Sequence, residues 1–181
     1  MDAVMRERTV QLAKQGDSAA FAELYRHYAE DLYHFACYYL GNRHDAEDAV
    51  QTAVLTAYRS LPSLRKNGAF RSWLFKILSN CCKDALEKRS RRQGDVPLFE
   101  VEHMVSGDSR ELSESAALTE ALQKLPETDR KIILLSVIGG YTSREIAQMM
   151  QLRPGSVRSR LSRTMQKLRD SLGEDDGKDE T

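Results

Sequence analysis

Long apolar runs are missing from this chain. Its longest apolar stretches, such as Ile132 to Ile138, fall well short of the roughly 20 residues that cross a bilayer. The N-terminal MDAVMRERTVQLAKQGD has no apolar signal-peptide core, so the expected location is the cytoplasm. Cysteine is scarce: Cys37, Cys81 and Cys82 are an odd number without a Cys-x-x-Cys pair, which excludes a disulfide framework and leaves reduced thiols. There is no Gly-rich phosphate loop, no nucleophile elbow and no paired-carboxylate signature. The chain is therefore expected to have no catalytic residues, no cofactor and no small-molecule substrate. His27, His34 and Cys37 fall near one helix face, but zinc needs about four ligands in a closed geometry. No second ligand pair accompanies them, and His44 and His103 lie in different local contexts, so no metal site is expected.

What is present fits a folded, helix-rich protein. Only four prolines occur in 181 residues, with 41% hydrophobic and 30% charged residues, a balance that disfavours disorder. The length allows one ordinary domain or two small ones. Lys and Arg (27) balance Asp and Glu (27), yet the distribution is uneven. Arg65 to Arg92 and Arg153 to Arg169 are basic, whereas Asp95 to Glu114 and Glu174 to Glu180 are acidic. Two separated basic stretches point to two contacts with one polyanion, because binding follows local faces rather than the sum.

Periodicity predicts an all-α chain. Phe21, Leu24, Tyr25, Tyr28, Leu32, Phe35, Ala36 and Tyr39 share one helical face, with Asp17 or Ser18 to cap the start and Gly41 to end it. A second helix is expected over Asp45 to Ser60, with Ala49, Val50, Ala53, Val54, Ala57 and Tyr58 inward, and Leu61-Pro62 stopping it. Ser63 to Ala69 carries turn chemistry in Asn67-Gly68. A third helix runs from Phe70 to about Arg89, with Phe70, Trp73, Leu74, Ile77, Leu78, Cys81 and Ala85 as its apolar stripe. The expected organisation is a first helical domain over 1–92, an acidic flexible linker over 93–113, a second domain over 114–172 and a disordered acidic tail over 173–181. The second domain shows helical signals at Glu114 to Leu125, Glu127 to Ile138, Ser143 to Met150 and Pro154 to about Leu172.

The strongest motif is the stretch from Tyr141 to Arg163, which reads as a helix-turn-helix. Thr142 or Ser143 caps a short helix whose Ile146, Ala147 and Met150 pack inward, a turn follows at Gln151 to Arg153, and Pro154 opens the next helix. Val157, Leu161, Met165 and Leu168 form its inner stripe. The opposite face offers Arg158, Ser159, Ser162, Arg163 and Gln166, side chains suited to guanine edges and phosphates in a major groove.

With the preceding LQKLPETDRKIILL (122–135), this motif resembles region 4 of extracytoplasmic-function (ECF) sigma factors of bacterial RNA polymerase. Upstream, DSAAFAELY (17–25), DAEDAVQ (45–51), AYR (57–59) and FRSWLFKI (70–77) are similar to region 2 of that family, in the same order. The resemblance implies a non-catalytic sigma subunit that binds core polymerase, at the β′ clamp helices and the β flap, and directs promoter-specific initiation. It implies that Asp48, Gln51, Thr52 and Leu55 dock on polymerase. For the -10 promoter element it implies the loop residues Ser63, Arg65, Lys66, Asn67 and Gly68, with Phe70, Trp73, Phe75, Lys76, Asn80 and Lys83 beyond them. Aromatic rings stack on unpaired bases and lysines track phosphates, so these are fitting materials. Trp73 suits either the core or the melting surface. For the -35 element it implies Ser143, Arg153, Ser156, Arg158, Ser159, Ser162 and Arg163. It also implies an anti-sigma partner, membrane-anchored or soluble. Cys81-Cys82 and Ala85-Leu86-Glu87 depart from the more polar or basic family pattern, and Ser156 replaces the usual threonine while keeping a hydroxyl. A helix-turn-helix activator or repressor is the main rival, but such proteins normally carry a sensor or receiver domain, whereas 17–92 is helical and has the docking pattern.

Overall fold

The computed structural model describes residues 2–93 and 109–173, which form eight α-helices and two single 3-10 turns, with no strand among them. The all-α expectation holds. By contacts the described residues divide into two units, one formed by 2–36 with 44–93 and the other by 37–43 with 109–173.

The first unit opens on a helix that the periodicity did not reveal, α1 (Ala3–Lys14). Asp2 caps it, its Oδ1 accepting from the Met5 amide at 2.8 Å. Only Thr9, Val10 and Ala13 are buried, while Val4, Met5 and Leu12 face outward, so the apolar pattern of α1 points the wrong way. Helix α2 (Ser18–Leu40) starts at Asp17, whose Oδ1 accepts from the amides of Ala19 and Ala20 at 2.9 and 3.0 Å. Its expected inner stripe is buried apart from half-buried Tyr25. Helix α3 (Arg43–Ser60) begins two residues earlier than expected and packs a small-residue face, Ala46, Ala49, Ala53 and Ala57, which lets helices approach closely. Tyr58 was expected inward. It is 45% exposed and instead meets Phe21 edge-on, ring centroids 5.0 Å apart.

After a turn at Leu61–Ser63 and another at Asn67–Ala69, helix α4 (Phe70–Gln93) brings Phe70, Leu74, Phe75, Leu78 and Cys82 into the core. The buried face is rotated relative to the expected stripe, away from Trp73, Ile77 and Cys81, which are half-buried, and toward Phe75, Ser79 and Cys82. The cause is an aromatic pair: Phe75 meets Phe35 of α2 at 5.7 Å with rings at 89°, an edge-to-face geometry that favours full enclosure.

In the second unit α5 (Ser109–Gln123), α6 (Glu127–Val137), α7 (Ser143–Met150) and α8 (Pro154–Gly173) surround a core that includes Leu122, Ile132, Leu135, Ile146 and Val157. Helix α5 begins five residues before the expected Glu114, so 109–113 are helix rather than linker. Gln93 closes α4, and the remainder of the expected linker and the tail beyond Gly173 lie outside the described residues.

The last turn of α2 and the Gly41-Asn42 link to α3, residues Cys37–Arg43, belong to this second unit. There the Tyr39 hydroxyl donates to Glu127 Oε1 at 2.7 Å, and Gln123 Nε2 donates to the Tyr38 carbonyl at 2.9 Å. Arg130, only 7% exposed, donates to the carbonyls of Tyr39 (2.7 Å), Gln123 (3.0 Å) and Leu125 (3.2 Å) and to Gln123 Oε1 (2.6 Å). Gly41 sits at φ +68 with the Gln123 side chain 2.7 Å from where a Cβ would lie, so both backbone and space call for glycine.

Candidate nucleic-acid interface

Helix α7 is only eight residues long and depends on its cap. Thr142 Oγ1 accepts from the Glu145 amide at 3.3 Å, and the Glu145 carboxylate accepts from the Thr142 amide at 2.8 Å and hydroxyl at 2.7 Å. Thr142→Ala is expected to cost about 1 kcal/mol, readable as a lower denaturation midpoint with an unchanged slope. The turn to α8 passes through Gln151 in the left-handed region (φ 56), and the Leu152 amide donates to the Ala147 carbonyl at 2.9 Å. Ile146, Ala147 and Val157 close the inside of the motif. Arg160 fixes α8 to α6 through a 2.8 Å ion pair with Asp129.

This frame leaves one polar face of α8 outward. Arg158, Ser159, Ser162, Arg163 and Gln166 are exposed, as are Arg153 and Ser156 ahead of them, while Ser143 is half-buried. Leu161 and Met165, expected in the inner stripe, are half-buried, as is Met150 of α7. Exposed Arg144 and Gln148 on α7 were not singled out from the sequence, and only the packing of α7 shows that they are free of its buried face.

In the first unit, Trp73, Lys76, Asn80 and Lys83 recur at helical spacing along one side of α4. The last three are exposed and Trp73 is half-buried. Ser63, Arg65, Lys66 and Gly68 are exposed in the loop and Asn67 is half-buried. Phe70 and Phe75 require correction: they are 1% and 0% exposed, enclosed by Tyr28 and Phe35, and offer no ring face to a base. Asp48, Gln51, Thr52 and Leu55 form an exposed stripe on α3, with Leu55 51% exposed. Gln51 and Leu55 also line a groove of about 510 Å3 against Tyr25, Ala29 and Tyr33 of α2, rimmed by Glu30 and Glu47.

None of the three cysteines is in a disulfide, and Cys37 and Cys82 are buried. Burial, reinforced by Asp84, pushes the Cys81 thiol above its ordinary value. Cys81 should therefore alkylate more slowly than a free thiol near neutral pH and gain reactivity only as pH rises, a contrast that mass spectrometry of iodoacetamide-treated protein resolves. His27 and His34 are exposed, and no group of three metal-binding side chains occurs among the described residues. His103 lies outside them.

A helix-turn-helix unit carried with a separate helical unit of this kind defines the chain as a helical DNA-reading protein. The Sigma-70 region 2 model matches residues 24–92, and the model "Sigma-70, region 4" matches residues 115–168. The ECF RNA polymerase sigma factor SigM of Mycobacterium tuberculosis is 32% identical over 158 residues, 87% of this chain and 80% of its own. The ECF RNA polymerase sigma-E factor of Escherichia coli is 35% identical over 167 residues, 85% and 87% respectively. Among solved structures, CnrH in complex with the cytosolic domain of CnrY aligns with a TM-score of 0.73 at 26% identity, covering 96% of this chain and 99% of that one. The sigma factor RpoE bound to the anti-sigma factor NepR, from Bartonella quintana, aligns at 0.74 and 25% identity, covering 84% and 96%. The chain belongs to the ECF RNA polymerase sigma factors of the sigma-70 family.

Proposed function

We propose that this sigma factor holds core RNA polymerase through Asp48, Gln51, Thr52 and Leu55 on α3, and places two DNA-reading surfaces on a promoter. The Ser63–Ala69 loop with Trp73, Lys76, Asn80 and Lys83 takes the -10 element. The outer face of α8, with Arg153 and Ser156 ahead of it, takes the -35 element, and Ser143 holds a phosphate at the start of α7. The second unit also meets the β flap. Polymerisation itself belongs to the polymerase, and the sigma subunit acts in the cytoplasm without catalysis of its own. An anti-sigma factor that covers the α3 stripe keeps it inactive; a partner of that kind is supported by the similar sigma factor RpoE, solved in complex with the anti-sigma factor NepR.

The observation that carries the reading is the α3 stripe: a carboxylate, an amide, a hydroxyl and an exposed leucine on one face beside an apolar groove. Buried apolar anchors with a polar rim are what a helical partner requires. Asp48→Arg should weaken co-elution with core polymerase by about tenfold in affinity, since reversal turns attraction into repulsion at a contact. Equal affinity of wild type and variant would remove the stripe from the docking surface.

A further inference from the structure

We infer that α1 is a positioning brace for the Ser63–Ala69 loop, and that Asn67 serves this brace rather than reading bases. The inference rests on the proposed role of that loop at the -10 element. Lys14 Nζ donates to the Leu64 carbonyl at 2.7 Å and reaches Asn67 Oδ1 at 3.4 Å. Asn67 Nδ2 donates to Gln11 Oε1 at 2.9 Å and lies 3.4 Å from the Glu7 carbonyl. Both ends of the amide are thus engaged by one helix. Leu64 is 6% exposed, so the loop is pinned at that point by its side chain in the core and by its carbonyl on Lys14. Three residues on, Asn67 is pinned again, and the Ala69 amide closes the turn on the Lys66 carbonyl at 3.0 Å.

Between the two pins only Arg65 and Lys66 project, both exposed. A two-residue tip held at each end has little freedom, so a base or phosphate meeting it encounters donors at fixed places, which is how supporting contacts sharpen selectivity. Arg65 and Lys66 are then the reading residues, and Lys14, Gln11 and Asn67 set where they stand. Helix α1 precedes residue 24, where the match to region 2 begins.

The test uses the full chain with core polymerase in run-off transcription from promoters carrying each base at each -10 position. Lys14→Met and Gln11→Leu remove the donor and acceptor while keeping side-chain length; Gln11 is exposed, so that variant keeps its fold even should the other lose it. Either should flatten the preference between best and worst base by about fivefold to tenfold, the scale of one hydrogen bond. Lys14→Arg, which keeps a donor, should restore most of the preference, and -35 selectivity should not move. Uniformly lower transcription with unchanged base ratios in both brace variants would overturn the inference while leaving the loop's role intact, provided Arg65→Ala or Lys66→Ala alters the ratios. Unchanged ratios in those two tip variants would overturn the -10 role of the loop, and the brace with it.

Discussion

Arg130→Met is expected to destabilise the second unit by about 3 kcal/mol. The guanidinium is buried and its two terminal nitrogens serve the carbonyls of Tyr39, Gln123 and Leu125 and the side-chain oxygen of Gln123, all within 3.2 Å. Methionine keeps much of the stem's volume but has no donor, so each of these oxygens loses one donor; the Tyr39 carbonyl keeps Gln123 Nε2 at 3.3 Å, and a buried oxygen left unpaired costs roughly 1 to 3 kcal/mol. The loss stays below the sum because the variant no longer carries a charge out of water, a cost of several kcal/mol in the wild type. Arg130→Lys should fall between the two, since a single ammonium cannot reproduce a planar fork. Denaturant unfolding followed at 222 nm measures the difference. A Met variant within about 0.5 kcal/mol of wild type, the range of an ordinary surface substitution, would show that the fork is not what holds this unit. The neighbouring Asp129 anchors Arg160 of α8, so the same variant should also weaken -35 binding.

Alanine at Arg158 or Arg163 is expected to have the next largest effect. The two lie five apart on the exposed face of α8, while Val157 is wholly buried behind them, so on the proposed reading each would meet a different point of a groove from a fixed support. An arginine that reads guanine through O6 and N7 should cost about 1 to 3 kcal/mol on removal and flatten the base preference at that position. One that contacts a phosphate should weaken all sequences alike and lower the slope of binding against salt, because fewer counterions are released. Arg163 Nε already bonds the Ser159 carbonyl at 3.3 Å, which holds its stem along the helix. Fluorescence anisotropy of a -35 duplex, across salt and base substitutions, separates the two modes. Unchanged affinity and selectivity in both variants would remove this face from promoter reading.

Much of the fold was legible because its strongest signals are local. The α2 stripe from Phe21 to Tyr39, a cap at Asp17 or Ser18, the glycine exit at Gly41 and a cap at Thr142 or Ser143 depend on residues within a few turns of one another; the structure buries the stripe apart from half-buried Tyr25, caps with Asp17 and Thr142, and adds the Glu145 half of a capping box. Helix α1 escaped because its buried side, Thr9, Val10 and Ala13, is less apolar than its exposed Val4, Met5 and Leu12. Phe75 escaped because its burial is decided by Phe35, forty positions away, and not by the pattern of α4. Arg130 sits in a run of charges that reads as helix surface, and only Tyr39, Gln123 and Leu125 disclose its interior position. Asn67 announced a turn in the sequence, yet the engagement of its amide by α1 depends on residues more than fifty positions upstream. The exposed residues of α3, α4 and α8 could be named from the resemblance, whereas the residues that hold them in place could not.

Promoter-dependent run-off transcription decides whether this chain directs core polymerase to promoters. Purified core polymerase should initiate on a subset of genomic fragments only when this protein is added, from start sites preceded by a shared pair of -35 and -10 sequences. Transcripts that are identical in number and position with and without the protein, under conditions where it is folded and polymerase is active, would contradict the account.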